Sequence, residues 1–78
     1  MDQKIYIVEL KSRVSSYYLA SLSGTYSKVI CDAVIFTNEV EALKYASISE
    51  NQINECISET ANLFVGKVEE KCLMTLSV

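Results

Sequence analysis

The sequence predicts an α+β fold: a small, largely antiparallel sheet of three to five strands with two short helices on one face, in the order β-β-β-α-α-β. Three observations lead there. Up to Phe36 the chain consists of short runs rich in β-branched and aromatic residues, separated by polar breaks. At Thr37 the apolar spacing lengthens to that of a helix, and from Leu63 strand composition returns. With 78 residues, half of them apolar, the chain makes one domain, residues 1–78, with a packed core and a narrow stability margin.

Each element has its own reason. Lys4 to Leu10 reads KIYIVEL, with Tyr6, Val8 and Leu10 on one face and Ile5 and Ile7 on the other, so both faces are expected to be covered. Lys11, Ser12, Arg13, Ser15 and Ser16 break the run. A second strand follows from Tyr17 to Leu22, and Ser23-Gly24-Thr25 supplies a hairpin turn in which Gly24 can take positive φ. Tyr26 to Phe36 reads as a third strand, kinked near Asp32, which completes a meander.

Asn38 followed by Glu41 has the form of a capping box, and Val40, Leu43 and Ala46 then recur at helical spacing over two to three turns. Ser49 with Gln52 repeats that signature and predicts a second helix, ending near Asn62, with Ile53, Cys56, Ile57, Ala61 and Phe64 as its apolar stripe. Leu63 to Val68 is the next strand. A turn at Glu69 and Glu70 then leads to an additional C-terminal strand, Lys71 to Val78.

Composition excludes several functional classes. The chain has no His, Pro or Trp, so the usual partner of a nucleophilic Cys or Ser is missing. Cys31, Cys56 and Cys72 form no CxxC pair, and a disulfide would leave one thiol over; they are expected reduced, with Cys31 and Cys56 in the core and Cys72 nearer the surface. Asp32 would be a candidate acid if buried beside Ile30, Val34 and Phe36, but a charge that blocks edge pairing explains it more simply. Gly24 lacks the second glycine and the Gly-Lys-Ser/Thr ending of a phosphate loop. Carboxylates without a DxDxDG loop assemble no metal site, so the expectation is a protein with neither catalytic residues, metal nor cofactor. No signal peptide or membrane span is indicated, which predicts a cytoplasmic protein.

Charge and tyrosines point to binding. Residues up to Phe36 sum to +1 and those from Thr37 onward to −4, which disfavours direct contact with nucleic acid and suits a basic partner. Glu41, Glu50, Glu55 and Glu59 are the expected acidic contacts on the helical side, although glutamates in first turns also complement the helix dipole. Tyr17, Tyr18 and Tyr26 are the expected aromatic contacts. Because Tyr17 and Tyr18 are adjacent, on a strand they must point to opposite faces.

The succession KIYIVEL, YYLAS, a third β-run, TNEVEALKYASI, a second helix and LFVGKV resembles, over most of the chain, the small accessory proteins of bacteriophages of Gram-positive bacteria. The resemblance is one of layout and carries no site residue across, and the stretch after Val68 and the cysteines depart from the pattern. It implies a viral inhibitor or modulator of a host protein, and one form of it is an anti-CRISPR-like protein that occupies a basic nucleic-acid groove. The other expectation is a homo-oligomeric module that pairs through a sheet edge or its tyrosine face.

Overall fold

The computed structural model describes residues 4–55, 57 and 63–72. Four strands, β1 (Lys4–Lys11), β2 (Ser16–Leu19), β3 (Tyr26–Ser27) and β4 (Val65–Cys72), form one antiparallel sheet in the order β3-β2-β1-β4. One helix, α1 (Glu39–Asn54), packs across β1 and β4. The α+β class and the antiparallel sheet therefore stand as the sequence predicts.

β1 has the double-sided burial that its alternation implies: Ile5 and Ile7 are buried on one face, Val8 and Leu10 on the other. Its register sets Glu9 opposite Tyr18 and Leu10 opposite Tyr17, so the two adjacent tyrosines do point to opposite faces. Between β1 and β2 the Ser12 hydroxyl accepts the amides of Val14 and Ser15 and donates to the Ser15 carbonyl. The next turn uses Gly24 at φ 101°, and Ala20 donates to the Thr25 carbonyl at 2.7 Å.

The third run differs from expectation. Only Tyr26 and Ser27 are strand; Ile30–Asp32 form a short 3-10 turn. Asp32 is exposed and closes that turn by accepting the Ser27 hydroxyl at 2.7 Å, so the carboxylate neither lies in a strand nor enters the core. The same turn puts Cys31 on the surface rather than in the core. From there the chain returns to the sheet. Val34 donates to the Leu19 carbonyl, and Phe36 exchanges two bonds with Tyr6, at 2.8 and 2.9 Å.

Asn38 caps α1 as its position in the sequence suggests, its side chain accepting the amides of Val40 and Glu41. The helix then runs through Ser49, where a second helix was expected to begin, and Ser49 is buried mid-helix. What remained of that second helix, residues 56 and 58–62, lies outside the described residues. The buried face is also rotated from the expected one: Ala42, Ala46 and Ser49 face the sheet, whereas Val40 and Leu43 are exposed. The reason is proximity. Gly66 of β4 lies so close beneath α1 that a Cβ there would run into the Ala46 carbonyl oxygen.

Val8, Leu19, Phe36, Ala42 and Ala46 form the core between helix and sheet, with Tyr6, Tyr26, Val34, Tyr45 and Val68 packed around them. Phe36 stacks on Tyr45 with ring centroids 5.5 Å apart. β4 pairs with all eight residues of β1, from Lys4 opposite Cys72 to Lys11 opposite Val65. Glu69 and Glu70 thus sit inside a continuous strand and form no turn; the rest of the expected C-terminal strand, residues 73–78, lies outside the described residues.

Candidate functional site

A pocket opens between the C-terminal end of α1 and the helix-facing side of β2 and β3. It encloses about 270 Å³ and is lined by Tyr17, Tyr26, Ile53, Ile57 and Phe64. Each lining residue arrives by a separate route. Tyr17 is on the helix-facing side of β2 because it pairs with Leu10, and Tyr26 faces the same way because it pairs with Leu19. Ile53 lies on the face of α1 that carries Ala42, Ala46 and Ser49. Phe64 comes in just before β4, held by the side chain of Asn54, which donates to the Phe64 carbonyl at 3.0 Å and accepts its amide at 2.8 Å.

The lining is apolar with two polar features. The rings of Tyr17 and Phe64 meet at a centroid distance of 5.8 Å, and the Lys28 ammonium sits 5.5 Å from the centre of the Tyr17 ring. The hydroxyl oxygen of Tyr26 is buried with no hydrogen-bond partner among the described residues. A buried hydroxyl left unpaired costs about 1–3 kcal/mol.

Two of the tyrosines singled out by sequence, Tyr17 and Tyr26, are therefore brought together, and the third is separated from them. Tyr18 lies on the opposite face of the sheet, across from Glu9. There Glu9 and Glu69 lie diagonally across β1 and β4. The hydrogen bond to Glu69 is the main cause of the raised Glu9 pKa, with burial adding to it; the same bond, joined by Lys71, holds Glu69 low. Burial, then the charges of Glu9 and Glu69, push the Tyr18 phenol up.

The acidic residues do not converge as the tyrosines do. Glu41 and Glu50 are nine positions apart in α1, about two and a half turns, which sets them on opposite flanks. Glu50 accepts the Gly66 amide at 2.8 Å and so ties the helix to β4. Glu55 is exposed just past the helix end, and Glu59 lies outside the described residues. Ile53, Ile57 and Phe64, expected as parts of one helical stripe, line the pocket instead; Cys56 and Ala61 of that stripe lie outside the described residues. Sequence reasoning missed Asn54 and Lys28. Their roles depend on partners ten and eleven residues away, Phe64 and Tyr17, and no local pattern marks them.

Among the described residues no group of three or more His, Cys, Asp or Glu could hold a metal ion, and no helix is long and apolar enough to cross a membrane. Compared with protein-family models, curated proteins and solved structures, the chain matches none.

Proposed function

We propose that this chain is a non-enzymatic protein-binding module that grips a partner through the pocket of Tyr17, Tyr26, Ile53, Ile57 and Phe64. The observation that carries this reading is the open apolar pocket itself, walled by two tyrosines, two isoleucines and a phenylalanine. A cavity of about 270 Å³ falls just below the usual ligand-pocket range of about 300–1,000 Å³, which suits one anchoring side chain better than a cofactor. The fitting partner offers an aliphatic or aromatic side chain flanked by a carboxylate, which would approach Lys28 beside the Tyr17 ring.

The chain's net charge of −3 supports a partner with a basic surface, since a field of opposite sign speeds encounter. Glu41 and Glu55 contribute to that field; because the glutamates lie on different flanks of the helix, steering describes their part better than a single acidic contact face. The resemblance of the sequence layout to phage accessory proteins suggests a bacterial host protein as the partner and the host cytoplasm as the setting, with inhibition or modulation as the outcome.

Affinity capture from a bacterial host lysate tests the reading. Proteins retained by the wild-type chain should be lost with Ile57→Glu, which puts a charge into the pocket wall. Equal recovery by both chains overturns the pocket as the contact.

A further inference from the structure

β4 is the long outer strand of the sheet, and among the described residues its far side pairs with no strand. All eight of its residues lie opposite β1, and in an antiparallel ladder alternate residues turn their backbone groups the other way. The Gly66 amide goes to Glu50 rather than to β1, so Gly66, Val68 and Glu70 are the outward set. An open edge of that length is a template for a further strand, and natural sheets are blunted against such pairing. The opposite edge is blunted by shortness, since β3 is only Tyr26–Ser27. β4 needs another device.

Glu50 supplies one. Gly66 lies so close beneath α1 that a Cβ there would meet the Ala46 backbone. Glu50 follows Ala46 by four residues, about one turn, and helical side chains lean back toward the N-terminus. Its carboxylate therefore comes down at the level of Gly66 and accepts that amide at 2.8 Å. A carboxylate is a stronger acceptor than the neutral carbonyl of an incoming strand, so the exchange of one for the other is unfavourable.

We propose that Glu50 is an edge guard: by holding the Gly66 amide from above, it closes β4 to a second copy of the chain and keeps the protein monomeric. The contact is an autoinhibitory one, and its removal opens the edge.

The possible registers show why one carboxylate suffices. Two β4 strands paired antiparallel must set outward residues against outward residues, so the two-fold falls on a residue and never between two. Centred on Gly66, Lys67 or Val68, the pairing puts Gly66 opposite Gly66, Val68 or Glu70 of the other copy, and each of these needs the amide that Glu50 holds. Centred on Glu69, Glu70 or Lys71, it sets a charged residue against itself. The register centred on Val68 has the best remaining side-chain match, because Lys67 of each copy would face Glu69 of the other. There Glu50 acts twice: it occupies the amide, and it meets Glu70 of the other copy on the helix-facing side with like charge. The guard stands over β4 and the pocket over β2 and β3, so this inference is independent of how the pocket is used.

Sedimentation velocity at chain concentrations from about 1 to 200 μM tests it, spanning the micromolar range expected of a small interface. The wild-type chain should sediment as a monomer of 8.7 kDa. Glu50→Ala should self-associate about tenfold more tightly or better, since two amides are freed and two like-charge contacts removed per dimer, with the helical circular dichroism of the wild type. Adding Lys67→Glu to Glu50→Ala should return the chain to monomer, because each Lys67–Glu69 pair then becomes like-charged; association through unfolding would not respond in this way. The proposal is overturned if Glu50→Ala associates no more than the wild type, or if its association is indifferent to Lys67→Glu. A wild-type dimer that Lys67→Glu separates overturns it equally, since the edge would then be open with Glu50 in place.

Discussion

Asn54 and Phe64 are joined as two strands would be: one side-chain amide both donates to and accepts from the backbone of a residue ten positions later. The last turn of the helix thereby fixes where the chain enters β4, and the Phe64 ring becomes a wall of the pocket.

Asn54→Leu should accordingly destabilise the fold by about 1–3 kcal/mol, since both backbone groups of Phe64 lose a partner. Urea unfolding followed by circular dichroism measures this. A loss of under about 0.5 kcal/mol would mean that water replaces the amide without cost.

Gly66→Ala is the second test. Because its Cβ would meet backbone rather than a flexible side chain, helix and strand must separate, at about 1–3 kcal/mol. A melting temperature equal to that of the wild type would contradict the close approach.

That contact also explains what the sequence left illegible. The two faces of β1, the turn at Gly24 and the cap at Asn38 are local, and each was readable from residue type and spacing. The helix face was not, because at Gly66 the sheet demands small residues above it. Ala42, Ala46 and Ser49 are buried for their size, while the larger Val40 and Leu43 are left outside. Ser49 and Gln52 imitate an N-terminus that tertiary packing overrides, and Glu69 and Glu70 read as a turn although charges are common on an edge strand. The pocket joins residues as far apart as Tyr17 and Phe64, and only Tyr17 and Tyr26 among them carried a signal as contacts.

Glu9→Gln should change how stability depends on pH. The folded Glu9 carboxyl holds its proton above the ordinary value of 4.5, so its contribution is complete below that value and is lost as pH rises through the raised pKa. Glu69 runs the other way: held low, its contribution is present above 4.5 and disappears as pH falls through the lowered pKa. Glutamine keeps a donor for Glu69 without acquiring a charge beside it. Lys11, Lys67 and Lys71 face the same cluster and temper the repulsion. The variant should therefore gain on the wild type between about pH 4.5 and neutrality, by about 0.2–1 kcal/mol for one like-charged cross-strand pair. A difference that is flat with pH would mean that no hydrogen bond joins the two carboxyls.

Asn38→Ala removes the acceptor of two helix amides and should cost about 1 kcal/mol, whereas Ser49→Asn, if Ser49 capped a separate helix, would be harmless. Since Ser49 is buried, thermal melts should instead show Ser49→Asn as the more damaging of the two.

Peptide selection on the immobilised chain, followed by calorimetric titration of the enriched peptide, decides whether the Tyr17–Tyr26 pocket takes an anchoring side chain. The selected peptides should share an aliphatic or aromatic residue beside an acidic one. Ile57→Glu, which puts a charge into the pocket wall, should abolish their binding. Peptides that bind Ile57→Glu as tightly as the wild-type chain would contradict the claim.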